Sequence, residues 1–494
     1  MRPNHLFYFF LILFSGCKYS NNRYYSVTDF GARGDRVTLC TGAIQRSIDV
    51  AAKNGGGTVI IPQGQFLTGS LFLKSNVTLD IQNGAELLGS GNLEDYIPAE
   101  DSILKSWGTD RHLIVIGGAE NVTLKGEGTI NGQGWNFWEK PENPYQWIKA
   151  KERPGPMIMV SHSRNVAIRD LNLINPPGWT GNIHASEKVY IKGVVIDNNL
   201  RSPNSDGFDI SGSREVIISD CNISTCDDAI VLNSVPGDVK NVTISNCIIR
   251  TLCAAIKIGW PGDKNNISDI SVSNCNIWGS NRGIAIYQSY GITENISVSN
   301  IVFESNTPII FTRPIHIDLR RQRDTTRQIG IVRNIGISNF TARTQGRILI
   351  TAEEGGFIEN LSLSDIKLQY QYFEDPGVYA KNPASDQSSN KSPEARVAKA
   401  ALAAENVKNL WINNLQIIWP GDKVPDDWKI DNKIENGSFT NIYHPDYSTA
   451  RPVEFSVFWG KGIEKAYINA PLSEPSAKGV EKYQIRNSDG VFTN

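Results

Sequence analysis

Residues 241–275 read NVTISNCIIRTLCAAIKIGWPGDKNNISDISVSNC, and this stretch decides the fold. The phrase around Val242 (NVTISNC) returns around Ile270 (DISVSNC), 28 residues later. Inside each phrase apolar and polar residues alternate, the period of a strand whose alternate side chains enter one core. Working outward, related phrases stand at Val77, Val122, Val166, Val189 and Val216 upstream, and at Ile296, Ile335, Leu361 and Leu410 downstream. The central intervals, from Val166 to Ile296, run from 23 to 28 residues. Such a period marks a solenoid, and the leucine-and-asparagine consensus of leucine-rich repeats is missing. The expected fold is therefore all-β: a right-handed parallel β-helix with two or three short strands per coil. Equivalent residues would then repeat about every 4.8 Å along the axis and form ladders of like side chains. Cys221, Cys247 and Cys275 recur at one place in the phrase (SDCNI, SNCII, SNCNI), so they are expected to stack as small buried side chains rather than pair. The spacing of the cysteines fits no zinc site, and neither a metal nor an organic cofactor is expected.

The open ends of such a stack need covers, because unpaired strands template aggregation. Thr41 to Lys53 (TGAIQRSIDVAAK) places Ala43, Ile44 and Ile48 at helical spacing before Gly55-Gly56-Gly57, which predicts a short N-terminal capping helix. Two stretches break the period: 130–156, dense in Trp, Pro and Gly, and 368–405, which ends in the helix-like PEARVAKAALAAEN. Both are expected as loops beside a groove, with a non-repeating tail from about 430. Residues 1–17 (MRPNHLFYFFLILFSGC) read as an export signal whose apolar run is too short to span a membrane. Its end resembles a bacterial lipobox, making Cys17 the expected lipidation site, with 18–494 as one β-helical domain. An exported lipoprotein of the outer membrane or cell surface is expected, with a periplasm-facing position the other option. With 49 Lys+Arg against 51 Asp+Glu there is no global field for nucleic acid, and the lipid anchor is the one membrane contact expected. A monomer is expected.

The densest chemistry lies between Asn204 and Arg282. SPNSDGFDI supplies Asn204, Asp206 and Asp209, and STCDDAIVL supplies Asp227 and Asp228. Asp206 and Asp227 are 21 residues apart, about one coil, so both can share an outer face at neighbouring levels. Crowded carboxylates raise one another's pKa, which lets one remain a protonated acid while another serves as base. Glycosidic hydrolysis needs such a pair. Turn aspartates in hydrogen-bonded ladders are the structural alternative, and calcium binding the rival functional one.

On these motifs the chain resembles glycoside hydrolase family 28, the polygalacturonases and rhamnogalacturonan hydrolases, along nearly its whole mature length. DFGARGD, the run from GGGTVIIP, and EGTINGQG resemble bacterial members; NSDG at Asn204–Gly207 is similar to the family's Asn-Thr-Asp-Gly, and Cys226-Asp227-Asp228 to its Gly-Asp-Asp. The resemblance implies Asp227 as general acid, with Asp206 and Asp228 holding and deprotonating water, and inversion at the anomeric carbon. Two departures stand out. The family's Gly-His-Gly is Cys253-Ala254-Ala255 here, and its Arg-Ile-Lys reads Arg282-Gly283-Ile284. Arg282 keeps the motif's arginine while its lysine and the histidine are lost, which implies a changed uronate subsite, with Lys257 one coil before Arg282 as the candidate to restore a cation. Trp179, His184, Tyr287 and Tyr290 are further candidates for the sugar site, and Arg313, His316, Arg320 and Arg321 for a basic cluster. The implied activity is cleavage of an α-linked galacturonate bond in a pectic polysaccharide or oligosaccharide, in exo fashion if the insertions wall the groove. A rhamnogalacturonan hydrolase or galacturonohydrolase is the nearest alternative. From other classes, a calcium-dependent pectate lyase or a non-catalytic carbohydrate-binding solenoid would share the fold.

Overall fold

The computed structural model describes residues 23–99, 101–105, 109–140, 148–307, 312–322, 324–374, 376, 392–429 and 454–494. Residues 1–17 with Cys17, the middle of the 130–156 insertion and much of the 368–405 insertion lie outside that set. The alternating phrases form strands, each paired in parallel and in register with its counterpart one coil away. Val189 faces Val216, Val216 faces Val242, and Val242 faces Ile270. Their inward side chains are buried in one continuous core running the length of the stack. The result is a right-handed parallel β-helix, the hand that parallel crossovers take.

Asparagines bend the chain at the corners of the coil, Asn246 between two strands and Asn274, Asn300 and Asn339 within long ones. Asn246, Asn274, Asn300 and Asn339 hold φ between 50 and 56° in the left-handed region, which asparagine tolerates better than most residues. Their side-chain amides stack: Asn274 donates to Asn246 at 3.3 Å, Asn300 to Asn274 at 3.0 Å, and Asn339 to Asn300 at 3.2 Å. The Asn-x-Ser/Thr triplets follow the same rule, with Asn121 donating to Asn76 at 2.9 Å. Cys221, Cys247 and Cys275 are buried free thiols at successive levels.

Helix α1 (Thr41–Lys53) forms over the expected residues and buries Ala43, Ile44, Ile48 and Ala51 against the first coils. Two expectations fail. In PEARVAKAALAAEN only Pro393–Val397 (α2) is helical, while Ala400–Ile418 is a strand parallel to Ile348–Ala352 and Ile358–Tyr370. Its small side chains fit beneath α2, where Ala395, Ala398, Ala400 and Ala403 pack with Leu349 and Trp459, so tertiary packing overrides alanine's helix propensity. The repeat also does not stop at 430: Ser456–Asn469 adds another coil on Ala400–Ile418, and Tyr483–Arg486 and Asp489–Thr493 stack on that.

One face of the stack carries the strands that matter for function: β1 (Gly181–His184), β2 (Phe208–Ser211), β3 (Ile230–Asn233), β4 (Ala254–Ile258), β5 (Arg282–Gln288) and β6 (Arg313–Leu319). Ile183, Ile210, Leu232, Ile258, Ile286 and Ile317 point into the core in register. The alternate positions form the outward ladder Asn182–Asp209–Val231–Lys257–Ala285–His316.

Candidate active site

The turns entering β2 and β3 stack directly. The Gly207 amide donates to the Asp228 carbonyl at 3.0 Å, and the Phe208 amide to that of Ala229 at 3.0 Å. A side chain at position 207 would meet the Ala229 carbonyl oxygen at 2.2 Å, so only glycine lets the coils approach this closely. That approach brings Asp206 beside the Asp227–Asp228 pair. The three line a cleft of about 620 Å³ together with Asn204, Asp209, Lys257, Trp179 and His184.

Asp206 and Asp228 are almost fully buried and Asp227 is half-buried. Burial raises the Asp206 carboxyl well above the ordinary carboxylate range, with the charges of Asp227, Asp209 and Asp228 adding to it. Burial likewise raises Asp227, with Asp228 adding to it. Asp209 is pushed up by burial most of all, and by Asp228 and Asp227, against an opposing effect of Lys257. Asp206, Asp209 and Asp227, so close together beside one lysine, share protons as a set. Asp206 Oδ1 and Asp209 Oδ2 are buried without a hydrogen-bond partner among the described residues, an arrangement that suits a protonated acid or a polar ligand.

Asp228 is held from two sides. The Ala254 amide donates to its Oδ1 at 2.9 Å, and the Lys257 ammonium bonds its Oδ2. Asp227 accepts from the Asp228 amide at 3.0 Å and from Asn204 Nδ2 at 3.4 Å. Asp227, Asp228 and Cys253 offer ligand atoms within 4.8 Å of one another, the group among the described residues best able to hold a cation. The donor set suits calcium poorly: one member is a soft thiol, and both Asp228 oxygens already accept hydrogen bonds.

Two candidates fall elsewhere. Tyr287 is 2% exposed and packs on Ala254 and Ala285, with its hydroxyl 3.0 Å from His316 Nδ1, and it does not line the cleft. Arg282 lies between Ala254 and Arg313 at the start of β5, and the residue beside Lys257 in the ladder is Ala285. Tyr290 does line the cleft. The basic cluster is absorbed internally: Arg313 and His316 are buried, Arg320 pairs with Asp318 at 3.1 Å, and Arg321 with Glu353 at 2.8 Å.

Other cleft residues have no signal in the repeat phrase. Arg153, from the first insertion, reaches across to donate to Asn204 Oδ1 at 2.9 Å and to the Pro177 and Pro203 carbonyls at 2.8 and 2.6 Å. It walls a second cavity of about 290 Å³ that shares Trp179 and Asn204 with the main cleft. The first insertion thus flanks the cleft as expected, whereas the described parts of the second do not line it. Asn182 and Trp260 also line the cleft; Asn182 was recoverable as the residue one coil before Asp209.

A solenoid whose outer face gathers acids from consecutive coils into an open cleft defines a class: β-helical proteins with a carboxylate site of the kind that glycosidic hydrolysis requires. The chain belongs to glycosyl hydrolases family 28, whose family model matches residues 54–389. A probable polygalacturonase of Vitis vinifera is 32% identical over 223 residues, covering 42% of this chain and 44% of that protein. An exo-poly-alpha-D-galacturonosidase of Dickeya chrysanthemi is 27% identical over 251 residues, covering 42% and 41%. The chain thus spans less than half the length of these two relatives. The family 28 exopolygalacturonase of Yersinia enterocolitica superposes with a TM-score of 0.65 at 19% identity, over 82% of this chain and 76% of that one, a likeness of fold.

Proposed function

We propose that this protein is an exported pectin-degrading hydrolase that cleaves an α-linked galacturonate bond with inversion, acting from a chain end. The observation that carries this reading is the convergence of Asp206, Asp227 and Asp228 in one cleft with Asp206 and Asp227 raised towards protonation. Asp227, the most accessible of the three, gives its proton to the glycosidic oxygen as the bond from the anomeric carbon breaks. Water held by Asp206 and Asp228 attacks that carbon from the opposite face, and its proton passes to this carboxylate pair. Asn204, Asp209, Trp179 and His184 line the cleft at positions suited to bind the sugar rings. Chain-end action is supported by Arg153, which bonds Asn204 of the cleft and walls the adjoining cavity on the Trp179 side. The names of the matched relatives, a polygalacturonase and an exo-galacturonosidase, point the same way.

Incubating the protein with defined pectic oligosaccharides and following the products by NMR tests the reading. Release of terminal galacturonate as its β-anomer is expected. An unsaturated, ultraviolet-absorbing product that depends on calcium would instead make it a lyase, and binding without turnover a carbohydrate-binding solenoid. A rhamnogalacturonan end is the second reading, favoured by Ala254 standing where the resemblance implies a histidine. Export and anchoring rest on residues 1–17 alone. Replacing Cys17 by Ser is expected to move the protein out of the membrane fraction.

A further inference from the structure

We infer that Lys257 is a positioning residue: it is the internal counter-ion that holds Asp228 in place for the reaction, and it does not grip the carboxylate of the substrate. The inference rests on the hydrolytic reading above and adds a role for a residue whose spacing suggested a substrate contact.

The geometry leaves Lys257 little choice. It sits on β4 in the outward ladder between Val231 and Ala285, neither of which can bond an ammonium. The residue is only 4% exposed. Its Nζ bonds Asp228 Oδ2, and the Trp260 ring lies 3.9 Å away over the ammonium. Turning towards a bound sugar would leave Asp228 buried with one oxygen unpaired, which is strongly unfavourable. The other Asp228 oxygen is fixed by the Ala254 amide, so carboxylate, lysine and backbone form one clamp spanning two coils.

The charged and titratable groups that act on Lys257 are Asp206, Asp209, Asp227 and Asp228, with Asp263 and Tyr287 also in its field. Burial opposes the charge on Lys257, but Asp228 and Asp206 outweigh it and raise its pKa. In return, Lys257 lowers the pKa of Asp206, Asp209 and Asp227. Removing the lysine therefore raises all three, and the base then ionises only at higher pH. A lysine that gripped substrate instead of Asp228 would show its loss chiefly in KM.

The test compares Lys257→Gln and Lys257→Arg in the full chain with the wild type on oligogalacturonides. For Lys257→Gln, kcat is expected to fall about 100-fold, within the range general acid–base groups contribute. KM should stay within about threefold, and the acidic limb of kcat/KM should move up by about one pH unit or more. Lys257→Arg should restore part of kcat and return the limb towards its original position. A KM increase of tenfold or more, with kcat and the acidic limb unchanged, would overturn the inference in favour of substrate gripping. An urea-denaturation cycle of Lys257→Gln, Asp228→Asn and the double variant reads the clamp without activity. The double variant should lose less than the two single losses combined, and strict additivity would overturn the pairing. A wild type that hydrolyses no pectic substrate would overturn the proposed function, while the cycle would still decide whether Lys257 and Asp228 act as a pair.

Discussion

At one outer corner of the solenoid Asn246, Asn274, Asn300 and Asn339 stack one per coil, each amide donating a hydrogen to its neighbour. In the cleft Asp206, Asp209, Asp227 and Asp228 are crowded across adjacent coils, and two of their oxygens have no partner among the described residues. Both arrangements come from one cause, the parallel register that sets like residues beside like. An amide donates and accepts, so a column of asparagines closes its own hydrogen bonds. An ionised carboxylate only accepts, so the same stacking stores repulsion and pushes protons onto the acids. The difference separates scaffold from site more sharply than residue type does.

The most drastic way to break the comparison is to turn the acid cluster into an amide. Asp227→Asn is expected to lower kcat by about 1,000-fold or more while circular dichroism and melting temperature stay near wild type. Retained turnover would remove Asp227 from the reaction. On the cleft wall, Trp179→Ala is expected to raise KM about tenfold with a smaller change in kcat, measured on oligogalacturonide hydrolysis.

The third test reads stored repulsion as stability. An aspartate whose pKa is raised on folding binds protons more tightly in the native state, so stability falls as pH climbs from the ordinary carboxylate range through the raised value. Asp206→Asn is therefore expected to leave the melting temperature unchanged near pH 3.5 and to raise it by about 2 °C near pH 7.5, at the expense of activity. A melting temperature lowered at both pH values would show that Asp206 supports the fold instead. The smallest effect falls on the asparagine column. Asn300→Ala is expected to lose about 1–2 kcal/mol in urea denaturation, with Asn300→Gly losing less because glycine accepts the left-handed φ of 55°, and hydrolysis should be unchanged by either.

The coil was legible because its strands repeat a two-residue alternation that only a solenoid explains, and α1 because its apolar spacing and the glycines behind it agree. The meeting of Asp206 with Asp227 followed from an offset of about one coil. The fate of Lys257 did not, because whether its ammonium faces substrate or Asp228 depends on where Val231 and Ala285 fall in the register. Tyr287 stands apart for a related reason: it was singled out for following Arg282 in the sequence, while pairing with the next coil sets its hydroxyl against His316. Arg153 left no trace, since its contact with Asn204 bridges 51 residues through an insertion that has no period. The strand at Ala400–Ile418 was hidden by alanine's preference for helix, which the packing beneath α2 defeats.

The register has one more consequence, for how such a molecule can be lengthened. The cleft is drawn from coils that end before Ile358, and every later coil repeats the hydrogen-bond pattern of the one before it. The stack behaves as a threaded shaft with its cutting edge partway along. A full extra thread spliced in near the far end lengthens the shaft and leaves the edge untouched, whereas a fraction of a thread rotates everything after it out of phase.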